Sequence, residues 1–165
     1  MAAKTKKKPT FKEVVKSTSG LETYWRAGLK ALRAEDKPHI VPEDPRKLVG
    51  SVDIDAAYLA TDPHGNRWDF AIGYQHTNRD EEVIYWVELH TGSSAEIKVV
   101  IRKAQWFHNW FKGAGKKLAT FEKEILWVSS GSPRLSPSAP QTKQMAVAGL
   151  KQVGGSLRIP NRKNS

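Results

Sequence analysis

Asp69, Glu88 and His90 are the residues of this chain whose types and spacing point to chemistry. They fall in two strand-like runs, Arg67–Tyr74 and Glu82–Thr91, separated by the polar stretch His76–Glu81. Two such runs read as an antiparallel hairpin. With the turn centred on Asn78, residues whose numbers sum to about 157 oppose one another, so Tyr74 faces Val83 and Asp69 faces Glu88. Directly opposed side chains point to the same side of a sheet, with Cβ atoms about 4.5–5.5 Å apart. Two carboxylates that close repel unless a cation offsets them, and carboxylate oxygens are the ligands that Mg²⁺ and Mn²⁺ prefer. His90, two residues beyond Glu88, projects from the same face. The competing reading is a solvated polar face, with Glu88-Leu89-His90 as plain alternation. Against it, Val83, Tyr85, Val87 and Leu89 make one side of the strand apolar, and Ile84 and Trp86 make the other partly so. A strand of that kind is central to its sheet, and charges at its end need a partner.

The flanking segments supply the elements that position this pair. Leu21, Tyr24, Trp25, Leu29 and Leu32 recur at helical spacing, with Ser19 and Glu22 placed as a capping box. Lys37–Arg46 holds three prolines and reads as a loop. Ser51–Ala60 is a first strand, ending at the turn Thr61–Asn66. After the hairpin the period changes: Ile97, Val100, Ile101, Ala104, Phe107 and Phe111 form one face of a helix, and Lys98, Arg102, Gln105, Asn109 and Lys112 the other. Ser93 and Glu96 have capping-box spacing at its start. Glu124–Val128 is a buried strand, Ser129–Pro140 a Ser/Pro loop, Gln141–Gln152 a last helix, and Ser156–Pro160 a short edge strand. The class is α/β or α+β, a mixed sheet flanked by helices.

Length and charge bound the function. The chain has 165 residues, enough for one self-supporting core, and no cysteine, which excludes disulfide scaffolds, thiolate metal sites and cysteine nucleophiles. No run of about 18 apolar residues and no apolar leader is present, so a soluble, cytoplasmic protein without membrane contact is expected. Residues 51–100 carry nine acids against three bases, a net of −6, whereas the flanks carry +16 of the total +10. A basic body around an acidic middle suits a polyanion-binding protein that also holds a divalent cation; a soluble basic protein with acidic loops is the plainer alternative. Residues 1–9, with Lys6, Lys7 and Lys8, read as a disordered basic arm before a single domain over 10–165. Arg102, Lys103, Lys112, Lys116 and Lys117, beside Trp106 and Trp110, form a candidate phosphate-tracking surface, although core packing explains the tryptophans as well. Asp53 and Asp55, on one face of the first strand, are candidates to join the acidic site. His39, His64, His76 and His108 lack metal-motif spacing and read as surface residues.

The order helix, three-stranded meander, helix, strand resembles the core of the PD-(D/E)XK, or restriction-endonuclease-like, nuclease superfamily. That family carries an acid on the second strand and an acid-x-lysine on the third. Here Arg67-Trp68-Asp69-Phe70-Ala71-Ile72-Gly73-Tyr74 occupies the second slot and Val87-Glu88-Leu89-His90 the third. The segment is also similar to small bacterial proteins with a WD-aromatic-x-IGY strand and a VE-x-H strand. The resemblance covers about residues 20–130. It implies an α-β-β-β-α-β core and a nuclease dependent on Mg²⁺ or Mn²⁺ that hydrolyses phosphodiester bonds in DNA or RNA. It implies Asp69 and Glu88 as metal ligands, with Glu22 at the place of a helix-borne acid. Two residues depart from the pattern: Trp68 replaces a proline, and His90 replaces the lysine that positions or activates the attacking water. Lys98, one turn into the next helix, is a candidate source of the missing cation from a displaced position, with a plain solvated helix face as its alternative. The alternatives are a degenerate, nucleic-acid-binding domain of the same fold and a partner-binding regulatory protein; a homodimer is compatible with each.

Overall fold

In the computed structural model, which describes residues 7–76, 81–91, 94–130 and 139–161, the chain opens with the helix Phe11–Lys16 (α1). Thr10 caps it, its hydroxyl accepting the Glu13 N–H at 3.2 Å. The short strands Trp25–Arg26 (β1) and Ile40–Pro42 (β2) follow, then Leu48–Asp53 (β3). Asp53 ends β3 because its carboxylate accepts the Ala56 N–H at 2.9 Å, capping the helix Ile54–Tyr58 (α2). Phe70–Gln75 (β4) and Glu82–Thr91 (β5) pair as antiparallel strands. Ser94–Lys112 (α3) leads to Lys123–Ser130 (β6), and Pro140–Val147 (α4) to Leu150–Val153 (β7). Leu157–Ile159 (β8) comes last.

Six strands form one sheet in the order β1-β3-β4-β5-β6-β7. The pairs from β1 to β5 are antiparallel; β5–β6 and β6–β7 are parallel, as crossover helices require. β2 and β8 form a separate parallel pair. The result is the expected α/β class with a central mixed sheet flanked by helices. β5 is interior, and Val83 through Val87 are all buried. Val83, Tyr85 and Val87 share one core with Phe70, Ile72, Leu157 and Ile159. Ile84 and Trp86 face the other way, into a core with Ile97, Val100, Ala104 and Phe107 of α3. The Phe107 ring lies 4.7 Å from Trp86 and 5.0 Å from Trp68, which fixes α3 over the hairpin. Strand periodicity then places Glu88 and His90 beneath α3 as well. Among the described residues no helix is long and apolar enough to cross a membrane.

Three expectations are corrected. Leu21, Tyr24, Trp25, Leu29 and Leu32 do not form a helix. Trp25 belongs to the short strand β1, and the others lie in successive tight turns in which the Leu21, Tyr24 and Leu32 N–H groups donate three residues back, and Gly28 adopts φ +53, which no helix interior permits. Leu21 and Leu32 are buried nonetheless, so their spacing marked burial rather than helix. The run Ser51–Ala60 stops at Asp53, so Asp53 and Asp55 do not share a strand face. The last helix ends at Val147, because Leu150–Val153 is drawn into the sheet beside β6. Residues 1–6 of the basic arm, Asn78, Ser93 and the loop 131–138 lie outside the described residues.

Gly73 permits α1 to dock on the sheet. A Cβ there would lie 2.6 Å from Val49 Cγ2 and 2.8 Å from Phe11 Cδ1, and Phe11 is fully buried. Gly73→Ala is therefore expected to cost about 1–3 kcal/mol of stability through overpacking. Urea unfolding checks this: the midpoint should fall, and an unchanged midpoint would contradict the close approach.

Candidate functional site

Pairing of β4 with β5 runs from Gln75↔Glu82 to Phe70↔Val87, and Tyr74 faces Val83 as expected. Continuing that register by one step sets Asp69 against Glu88 at the end of the ladder. There the side chains take over from the main chain. The Asp69 N–H donates to Glu88 Oε2 at 3.2 Å, and the Leu89 N–H donates to Asp69 Oδ2 at 3.0 Å. Each carboxylate thus ties down one oxygen across the hairpin. The remaining two oxygens converge on one cation: Lys103 Nζ donates to Asp69 Oδ1 at 3.1 Å and makes a direct ion pair with Glu88 Oε1. Lys103 reaches them from α3, three residues after Val100 and four before Phe107, in the stripe that faces the sheet. The Glu88 side chain has no exposure, Asp69 13% and Lys103 14%.

Fully ionised, the three groups carry a net −1. Burial first, and then the Asp69 charge, hold the Glu88 carboxyl well above the ordinary carboxylate range, with Lys103 opposing. Burial acts to strip the proton from Lys103, but the carboxylates of Glu88 and Asp69 outweigh it and raise its pKa. The influence of Asp69 extends to its surroundings. Asp36 is raised by burial, against Arg33 and with Asp69; Asp53 is raised by burial despite the Ala56 N–H that it accepts.

The other expected site residues are placed elsewhere. The His90 imidazole pairs with Glu96 of α3, and its carbonyl accepts the Trp127 indole N–H at 3.2 Å. Glu96 thus anchors the start of α3 to β5. Lys98 is exposed on the outer stripe of α3 with Arg102 and Lys112, pointing away from the sheet. Asp55 is committed to Arg67 at 2.9 Å and Arg33 at 3.7 Å. Glu22 is exposed and accepts the Gly20 N–H at 2.9 Å. Neither Asp55 nor Glu22 meets Asp69 or Glu88, and among the described residues no group of three or more His, Asp or Glu side chains is disposed to hold a metal. Lys7, Lys8, Arg102, Lys112, Lys116 and Lys117 are exposed, Lys8 beside Glu81 at 3.3 Å. Lys6 lies outside the described residues. Lys103, expected among these basic surface residues, belongs instead to the carboxylate pair. Its spacing from Val100 and Phe107 was the available signal: a lysine inside an apolar stripe must find a buried counter-charge. Trp110 is buried, and Trp106 donates its indole N–H to Asp62 at 2.9 Å, so both pack rather than present a stacking surface.

Removing the cation should expose the cost of the paired acids. Lys103→Met is expected to lose about 3–5 kcal/mol, because the buried Glu88 and the largely shielded Asp69 lose their shared counter-charge. Adding Asp69→Asn and Glu88→Gln should recover most of that loss; strictly additive losses in chemical denaturation would show the groups to be uncoupled. The sign of the pH effect follows from Glu88. Its folded-state pKa is raised above the ordinary value of 4.5, so above that pH the folded chain retains a proton that the unfolded chain releases. Stability should fall as pH rises from about 4.5 toward the folded-state pKa, and the slope should be smaller in Glu88→Gln; equal slopes would place the titration elsewhere. No family model matches the chain, and neither a curated protein nor a solved structure does.

Proposed function

We propose that the chain is a metal-dependent phosphodiesterase with a restriction-endonuclease-like core, acting on nucleic acid, in the first place DNA. The observation that carries this reading is the convergence of Asp69 Oδ1 and Glu88 Oε1 on one cation position at the end of the β4–β5 ladder. The donor set fits Mg²⁺ or Mn²⁺: such ions are held by one or two carboxylates, with waters and phosphate oxygens completing the shell. When bound, the ion would polarise a phosphoryl oxygen and make a bound water a stronger nucleophile.

The protein's own groups have separable tasks. Asp69 and Glu88 would hold the ion, their other oxygens kept in place by the Leu89 and Asp69 N–H groups. Lys103 would yield its place between them and turn its ammonium to the phosphate charge. It provides from α3 the cation that the family pattern takes from the third strand, where this chain has His90; this replaces the expectation for Lys98. His90, held by Glu96, would accept a proton near the site. The exposed cations Arg102, Lys112, Lys116 and Lys117, with those of the amino-terminal arm, would hold the phosphate backbone.

A second reading has an observation in its favour. Lys103 already fills the position between the carboxylates, as in a closed ion triad, which suits a nucleic-acid-binding module without catalysis. Calorimetry with Mn²⁺ separates the two. The nuclease reading expects about one ion per chain, strongly weakened in Asp69→Asn, and Mn²⁺-dependent nicking of plasmid DNA lost in Lys103→Met. Folded protein with no heat at millimolar Mn²⁺ overturns it and leaves the binding module. Both readings expect duplex affinity to fall with log salt, at a slope of about −0.9 per neutralised phosphate. Affinity absent at low salt would remove both and leave a partner-binding protein.

A further inference from the structure

The outer side of α3 and the helix α4 enclose a groove of about 770 Å³, distinct from the carboxylate pair and reached from the opposite flank of α3. Its floor is apolar, made by Ile101, Val147 and Ala148, and Val147 is 90% exposed. Three amide side chains, Gln105, Asn109 and Gln144, line it; all are exposed and make no side-chain hydrogen bond among the described residues. His108 presents a planar ring whose orientation is fixed, since its Nε2–H donates to the Ala148 carbonyl at 2.6 Å.

Charge decides between occupants. No acid lines this groove, and Lys143 does. Both walls come from acid-free stretches: residues 97–121 hold six lysines and arginines and no acid, and residues 125–165 do the same. Arg102 and Lys112, exposed on α3, bracket the groove residues Gln105 and Asn109 along the helix. A neutral or basic peptide finds nothing here to pair with its charge, whereas a polyanion with flat apolar faces and polar edges finds each of its needs.

We propose that this groove binds single-stranded nucleic acid through unpaired bases. Base faces cover Val147, Ile101 and the His108 ring, Gln105, Asn109 and Gln144 meet base edges, and Lys143 and Arg102 neutralise phosphates. A duplex keeps its base faces stacked and cannot use the floor, so the groove selects single strands. This inference rests on the nucleic-acid reading above and names the strand form that the site would be offered.

The test is fluorescence anisotropy in EDTA, where no cleavage occurs, with 12-mer oligothymidylate, oligouridylate and a 12-bp duplex. Val147→Glu changes an exposed side chain and leaves the core untouched; Lys143→Glu acts as a second, independent variant. Each should weaken single-strand binding about tenfold or more while changing duplex binding much less. Loss in both single-stranded arms assigns the site to unpaired bases in general, and loss in one assigns it to strands with that sugar or that C5 substituent. Unchanged single-strand affinity in both variants, or equal loss for single strands and duplex, overturns the proposal, the first result leaving the groove to a protein partner. Failure of wild-type protein to bind any of the three probes would instead remove the nucleic-acid reading itself.

Discussion

A carboxylate on a strand buried on both faces has to find its counter-charge inside the protein, because water cannot reach it. Glu88 is such a group, and the arrangement around it follows from that need. One oxygen is satisfied by the Asp69 N–H across the hairpin and the other by Lys103 from the helix above. Asp69 is satisfied in the mirror-image way, by the Leu89 N–H and the same ammonium. The three groups therefore fix the end of the β4–β5 ladder and the height of α3 over it. The packing of Phe107 on Trp86 and Trp68, one turn further along, fixes the same helix by dispersion and area. Ionic and apolar contacts thus agree on a single placement of α3.

That placement gives the helix two unlike flanks. The side toward the sheet brings Lys103 to the acids and Glu96 to His90, so its polar residues are paired with partners on the strands. The side away from the sheet carries Lys98, Arg102, Gln105, Asn109 and Lys112, which stay solvated. The separation explains how a chain of net charge +10 keeps an acidic centre: Asp69 and Glu88 turn inward to be paired, and the cations on the far side of α3 stay outside. A divalent ion entering the centre would compete with Lys103 for the same two oxygens, so metal affinity and the position of that ammonium are necessarily linked.

The acids that line the neighbouring loops are tied into the frame rather than into this centre. Asp53 caps α2, Asp55 holds Arg67, and the main-chain carbonyl of Asp69 accepts the Ile54 N–H at 2.9 Å. These contacts anchor the approach to β4, so Asp69 is presented by a braced segment and not by a free loop end. The same economy appears at His39 and His108, whose rings bond to the Gly155 and Ala148 carbonyls at 2.6 Å.

The sequence by itself marked the strand β5 by its β-branched and aromatic run, and a turn centred on Asn78 set the register with β4 that the structure shows and the face shared by Asp69, Glu88 and His90. It also determined α3, whose apolar stripe is long and regular. It did not determine the segment from Leu21 to Leu32, where buried residues at helical spacing occupy tight turns, since periodicity reports burial and says nothing of the hydrogen bonds that connect buried residues. Nor did it decide that Asp53 would cap α2 instead of continuing a strand, a choice between two local uses of one carboxylate. Only the tertiary structure decided which acids the lysine meets. The spacing of Lys103 from Val100 and Phe107 sets it beside the apolar stripe and Lys98 off it, but the stripe names no partner. The aromatic ridge that packs on Trp86 sets the rotation of α3, turning Lys98 to water and Lys103 to Glu88.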